Sequence, residues 1–323
     1  MIDTGFGTEF APLFTPPLAP VDRHASLDPA AFQRRHDRPR RPVVVQDARD
    51  WPALTRWRDP DYLATVGAPA TVYTRRFDPE GVERRDLQET TFADVVRRLW
   101  KDPPEDLYLT QLLIRRSGGL AGAFGRDVHP GQVPELWGDV RCPAYWREDD
   151  IAECGLWMGP GHQFTGLHFD EHDNMLVQVM GTKRVLLFPH GEAPRLMPSI
   201  SNTAIPFSPL ESRRFDDPRR RRARGYEVVI EPGDMLYIPA GYWHEVYGGP
   251  GRNLSVNFWM LRPRAGDFVR LLRYHARRRT GFRKPWPVYA ATLAVCLCLG
   301  VARALGYLAR GAPPVRIGAT SYV

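Results

Sequence analysis

The sequence predicts a mainly β protein with flanking helices, its strands closed or sandwiched around a common core. Two observations carry this. From Gly155 onward, apolar segments of strand length (Asn174–Val179, Lys183–Phe188, Met235–Pro239) alternate with turn signals. The signals are Met180-Gly-Thr, read as a hairpin turn between the first two strands, and Pro232-Gly-Asp, a tight turn feeding the third. Many short strands with turns between them suit a closed or sandwiched architecture.

The chain has 323 residues, enough for one large domain or a domain with appendages. Residues 1–20 read as a loose lead-in, acidic early and proline-bearing late, without a signal-peptide pattern. Ser26-Leu-Asp-Pro-Ala-Ala-Phe-Gln predicts a short capped helix with proline in its first turn. Arg41-Pro-Val-Val-Val-Gln predicts a buried strand, and Trp51–Trp57 a loop that tucks its aromatic rings into the core. Thr90–Trp100 has helical period, with Phe92, Val95, Val96 and Leu99 on one side. Leu107–Ile114 is the next strand, followed by a glycine-rich turn at Gly118-Gly119. No internal repeat appears. Cys142, Cys154, Cys296 and Cys298 form neither a paired framework nor a zinc spacing, which points to a reducing compartment.

The net charge of +7 is unevenly placed. Residues 262–284 hold nine Lys/Arg against one acid, Asp267, and Arg303, Arg310 and Arg316 follow. That region carries more positive charge than the whole chain, so residues 1–261 are mildly acidic. A nucleic-acid groove running across the domain is therefore disfavoured. One basic run lies within the acidic part, Arg219-Arg-Arg-Arg-Ala-Arg, beside Asp216-Asp217. Such a run reads first as a solvated loop, and second as a surface for an acidic substrate.

The chemistry centres on Thr165-Gly-Leu-His168-Phe-Asp170 and a distant Gly241-Tyr-Trp-His244. On a strand, residues two apart share a face, so His168 and Asp170 can reach one metal ion. His244 arrives from another strand and completes a 2-His-1-carboxylate triad, a set that suits non-heme Fe(II) with open positions. A metal-free polar core cluster is the plainer reading of the same residues. His172 shares the parity of His168 and Asp170 and could also ligate.

Around the first half run Leu156-Trp-Met-Gly-Pro-Gly and Asn174-Met-Leu-Val-Gln-Val-Met-Gly-Thr-Lys183-Arg-Val-Leu-Leu-Phe188. Around the second run Tyr226-Glu-Val-Val-Ile-Glu-Pro-Gly-Asp-Met-Leu-Tyr-Ile-Pro and Leu254-Ser-Val-Asn257-Phe-Trp259. Over roughly residues 20–265 this resembles the cupin-like JmjC family of Fe(II)- and 2-oxoglutarate-dependent oxygenases, in particular the group containing the asparaginyl hydroxylase of hypoxia-inducible factor.

The resemblance implies a double-stranded β-helix (a jelly roll) over residues 21–265, with its core at 105–265 and the ligands in its mouth. It implies iron on His168, Asp170 and His244, and leaves His172 beside the site or in solvent. It implies Lys183, Thr165 and Tyr108 on the far carboxylate of 2-oxoglutarate, with Asn174 and Asn257 as amides near that cosubstrate. Lys183 could instead be a solvated turn lysine, and the asparagines ordinary strand residues bonded to backbone. With O₂, the implied reaction hydroxylates a protein or peptide side chain and releases succinate and CO₂. Hydroxylation of a modified nucleic-acid base, N-methyl demethylation, a non-catalytic metal-binding scaffold and a cupin isomerase are the alternatives. The Arg219 run departs from the family pattern, which often has a Phe-Pro segment there.

Beyond the domain, residues 266–284 read as a basic amphipathic helix with Phe268, Leu271, Leu272 and His275 along one side. Residues 286–309 are apolar apart from Arg303, and 310–323 form a tail. Two readings stand for 286–309: a transmembrane helix with Trp286, Tyr289 and Tyr307 as interfacial anchors, or a buried helix pairing two copies of the chain. In the membrane reading, the basic flank places the catalytic domain on the cytoplasmic face.

Overall fold

Apolar side chains on both faces of successive strands fold the chain into two packed sheets with an outer layer on each. The computed structural model describes residues 13–76, 88–117, 128–129, 131–170, 172–196 and 218–260. Its early strands are β1 (Ala19–Pro20), β2 (Asp22–His24), β3 (Val43–Val45), β4 (Thr71–Arg75), β5 (Gln88–Thr91), β6 (Tyr108–Ser117) and β7 (Val128–His129). The later ones are β8 (Ile151–Gly159), β9 (Phe164–Phe169), β10 (Asp173–Met180), β11 (Lys183–Phe188), β12 (Tyr226–Ile230), β13 (Met235–Ile238), β14 (Trp243–Gly248) and β15 (Asn253–Met260). The smaller sheet has the order β1-β12-β11-β14-β9. The larger has the order β2-β3-β13-β10-β15-β8-β6-β4-β5, with β7 on the side of β6. This is the jelly roll expected from the resemblance.

Period two sorts the residues of each strand. On β10 and β13, Leu176, Leu236 and Ile238 turn inward and meet Val185, Leu187, Val228 and Ile230 of the smaller sheet. The alternate residues Met175, Val177, Met235 and Tyr237 turn outward, under the helices. Those helices are α1 (Pro29–Phe32), α2 (Ala53–Arg56), α3 (Pro60–Val66) and α4 (Phe92–Leu99). Asp28 caps α1, accepting from the Ala31 N–H at 2.9 Å, and Thr91 caps α4, accepting from Asp94 at 3.2 Å. The apolar stripe Phe92, Val95, Val96, Leu99 is fully buried, as its spacing predicts. Buried Asp139 ties the layer together, accepting from Trp57 Nε1 at 2.9 Å and the Tyr62 hydroxyl at 2.6 Å.

Four expectations need correction. Met180-Gly-Thr is not a hairpin: β10 pairs with β13 and β15, whereas β11 pairs with β12 and β14. The turn carries the chain from one sheet to the other at Gly181, whose φ is +71° and where a Cβ would meet the Arg252 carbonyl oxygen at 2.6 Å. Trp51–Trp57 is not all loop, since Ala53–Arg56 closes a helical turn, although both tryptophans are buried as expected. Within the expected loose lead-in, Phe14 and Leu18 are buried although the other residues of 13–20 are exposed. Phe14 is buried 5.5 Å from the Phe188 ring, and Ala19-Pro20 pair in parallel with Tyr226-Glu227.

The basic run is the fourth. Arg219 is exposed, but Arg220 is wholly buried and donates to Glu245 at 2.7 Å, itself wholly buried. A fully desolvated guanidinium needs a carboxylate partner, and the loop reading missed one twenty-five residues away.

Gly118-Gly119 and everything from 261 on, including the expected helices 266–284 and 286–309 and the tail 310–323, lie outside the described residues. Among the described residues no helix is long and apolar enough to cross a membrane. Cys142 and Cys154 are free thiols.

Removing Arg220 takes the ion-pair partner from the buried Glu245 carboxylate. Arg220→Ala should cost about 3–5 kcal/mol in urea unfolding, while Arg219→Ala should stay within about 0.5 kcal/mol of wild type. Equal, small effects would show that the buried pair is not holding this layer.

Candidate metal centre

β9 and β14 run antiparallel with His168 directly opposite His244. The two imidazole rings lie 4.2 Å apart between centroids. Asp170 follows the last residue of β9, and its carboxylate oxygens stand 3.9 Å from each Nε2. One donor atom from each of the three residues falls within 4.8 Å of the others, and the 3.9 Å carboxylate–imidazole separations are ones that an ion with bonds of about 2.0–2.2 Å can bridge. The Asp170 carbonyl accepts from the Gly241 N–H at 2.8 Å, tying the end of β9 to the turn before β14.

Each donor is oriented by a neighbour. His168 Nδ1 lies 2.7 Å from the Gly166 carbonyl and His244 Nδ1 lies 3.0 Å from that of Tyr242. A carbonyl only accepts, so both Nδ1 atoms carry the proton and both Nε2 lone pairs face the centre. Asp170 Oδ2 accepts from Trp259 Nε1 at 2.9 Å and from Asn174 Nδ2 at 3.2 Å. Asn174 Oδ1 in turn accepts from Asn257 at 3.0 Å. Burial alone pushes the Asp170 carboxyl up, but His244, His168, the Trp259 N–H and His172 together outweigh it, leaving it below the ordinary range. The carboxylate is thus held ionised beside two imidazoles, a donor set that fits a divalent transition metal.

The three residues open onto a cavity of about 110 Å³ between the sheets. Thr165 and His168 both line it although they are three positions apart. The reason is a bulge: between the pairs His244–His168 and Val246–Thr165, β9 advances three residues while β14 advances two. A second bulge on β6 does the same for Tyr108 and Gln111, with Gln111 at φ +52°.

A family model described as a cupin-like domain matches residues 29–263, most of the chain. The chain belongs to the cupin-like domain family. Among curated proteins, this cupin-like chain is 28% identical over 250 residues to "Lysine-specific demethylase JMJ30" of Arabidopsis thaliana, covering 74% of this chain and 54% of that protein. It is 25% identical over 272 residues to the human "Bifunctional peptidase and (3S)-lysyl hydroxylase JMJD7", covering 72% and 80%. It is 27% identical over 266 residues to the human "tRNA wybutosine-synthesizing protein 5", covering 76% and 79%. The chain spans about half the length of several of its curated relatives.

Every site residue singled out in the sequence lines this one cavity: His168, Asp170, His244, Lys183, Thr165, Tyr108, Asn174 and Asn257. His172 lines it too. The hydrogen bonds of Asn174 and Asn257 run to Asp170 and to each other. Sequence reasoning missed Trp157, Trp259, Gln111 and Glu153 on the walls, and Ser255 behind Lys183. Period two on Leu254–Trp259 would have found Ser255 and Trp259, which share the parity of Asn257.

Lys183 is no surface lysine. It is 6% exposed, and its ammonium donates to the Ser255 hydroxyl with no carboxylate in ion-pair range among the described residues. Burial pulls its pKa down to about 7. An unfolded chain, with lysine near its ordinary value, binds more protons between pH 7 and 10.5. The Lys183 contribution is therefore full above that window and is lost as pH falls through it. Lys183→Met should make the ligand-free protein more stable at pH 7 by about 1–4 kcal/mol. Urea melts should show this gap narrowing toward pH 9.5 or so. A gap independent of pH would mean that Lys183 is not the titrating group.

Proposed function

We propose that the chain is an Fe(II)- and 2-oxoglutarate-dependent oxygenase that hydroxylates a protein or peptide side chain. The observation that carries this is a facial His168-Asp170-His244 set sharing a cavity with a buried lysine that has no carboxylate partner among the described residues. Iron bound there would supply O₂ activation coupled to decarboxylation of 2-oxoglutarate to succinate and CO₂. The three ligands hold one face of the ion and leave the cavity side open. Lys183, with Thr165 and Tyr108 lining the same cavity, offers the far carboxylate of the cosubstrate a desolvated cation and two hydroxyls. Trp259, Asn174 and Asn257 keep Asp170 in its ligating orientation. Trp157 and Trp259, 6.5 Å apart, wall the cavity against water, and Trp157 Nε1 is a buried donor with no partner among the described residues.

The substrate side favours a cation. Glu153 is 5% exposed, lines the cavity, and is held by Gln111 Nε2 at 3.0 Å. A carboxylate beside two indole faces suits a lysine or arginine side chain. Two of the relatives above have lysine in their names, which agrees. Modification of a tRNA base, suggested by the third, fits less well with a wall carboxylate that would repel phosphates.

The test is succinate release by purified protein with Fe(II), ascorbate and 2-oxoglutarate, followed by mass spectrometry of basic peptides for one added oxygen. Asp170→Ala should abolish metal binding and turnover together. Lys183→Ala should raise the half-saturating 2-oxoglutarate concentration at least about tenfold while metal still binds. Metal binding without any succinate release would favour the non-catalytic scaffold. Loss of a methyl group in place of an added oxygen would make the chain a demethylase.

A further inference from the structure

On the outside of the larger sheet, away from the cavity, a cleft forms where the segment 33–41 crosses the edge strand β2. Its walls are Arg34, Arg35, His36 and Arg41 on one side and Arg23 and His24 on the other, with Asp22 and Pro39 completing it. None of these residues lines the metal cavity. Gln33–Asp37 is a π-helical turn, a wider winding than an α-helix, and it sets Arg34 and Arg35 outward while His36 turns in.

Three features set the cleft apart from an ordinary basic surface. The guanidinium groups of Arg34, Arg35 and Arg41 are exposed and make no hydrogen bond or ion pair with any described residue. Only Arg23 is committed, to Asp234 at 2.6 Å and to the Val229 carbonyl at 2.6 Å. His36 is 2% exposed, yet its Nδ1 has no partner, an uncommon state for a buried polar atom. Its ring stands edge-on to His24 at 5.8 Å, so two imidazoles and the three uncommitted arginines line one concavity whose walls include a single carboxylate, Asp22. Burial holds His36 below its ordinary pKa, and His24, Arg35 and Arg41 add to that while Asp22 opposes it.

We propose that this cleft is a second binding site, distinct from the metal centre, for a phosphate group carried by a small molecule. The free arginine forks of the π-helical turn (Arg34, Arg35) and of the approach to β3 (Arg41) match a phosphate's several oxygens, and the His36 imidazole beside them supplies a further donor once an anion is present. A long polyanion fits less well: it needs a row of cations, and residues 1–261 are otherwise mildly acidic.

The experiment titrates inorganic phosphate and pyrophosphate into the metal-free full-length chain, reading the His36 imidazole by NMR and the heat by calorimetry. The His36 signal is assigned by its loss in His36→Asn; should that variant not fold, calorimetry on the arginine variants reads the same binding. A saturable His36 shift is expected, weakened at least about tenfold by Arg35→Gln/Arg41→Gln. Arg38→Gln, which removes an exposed arginine outside the cleft, should leave the affinity unchanged. Absence of a saturable response, or equal weakening by Arg38→Gln, overturns the proposal. Tighter binding of a short RNA through the same arginines, with a steep salt dependence, would also overturn it by making the cleft part of a nucleic-acid surface.

Discussion

The His168–His244 cross-strand pair sets the position of everything else at the centre. Two imidazoles can offer their Nε2 atoms to one ion only if β9 and β14 hold their register, because a slip of one residue would turn His244 to the outside. Both faces of β14 resist such a slip. His244 and Val246 point into the cavity, while Trp243, Glu245 and Tyr247 point the other way into a covering layer. Phe14, Leu18 and the helical turn Pro218–Arg221 supply that layer, so segments remote from the chemistry hold the strand that carries it. Arg220 is the polar part of that hold, bonded to the residue next to His244.

Bulges then do what plain strand geometry cannot. A regular strand presents every second residue, which suffices for His168 and Asp170 but sends Thr165 to the opposite face. The extra residue on β9 resets the parity, and the one on β6 does the same for Tyr108 and Gln111. Both irregularities border the cavity, where re-aiming a side chain is worth the lost ladder bond.

This explains what was legible in the residues alone. The strand pattern, the α4 stripe and the shared face of His168 and Asp170 follow from local period; the structure has these elements with boundaries shifted by a few residues, and it brings His244 beside the pair. Thr165 and Tyr108 were reached through the family motif, since period two argues against Thr165. Strand partners were not legible. β10 and β11 are adjacent, apolar and joined by a glycine turn, and nothing local says whether such strands lie side by side or face to face. The fate of charge was equally hidden. Arg220 and Lys183 look like solvated residues until Glu245 and Ser255 arrive from distant strands.

Three buried charges show how the fold distributes electrostatic cost. Arg220 meets a full counter-charge in the equally buried Glu245. Asp170 lies among imidazoles and two N–H donors, which keep it ionised without neutralising it. Lys183 has a hydroxyl alone, and burial lowers its affinity for its proton accordingly. Leaving a cation in that condition costs stability in the ligand-free protein, since desolvation is not offset by a partner. Under the proposed function the same condition would make it a receptor: a carboxylate entering the cavity would meet a desolvated donor already fixed in place, and would restore the proton as it binds. Stability lost at Lys183 and affinity available at Lys183 therefore have one physical origin, the absence of a protein carboxylate beside it among the described residues.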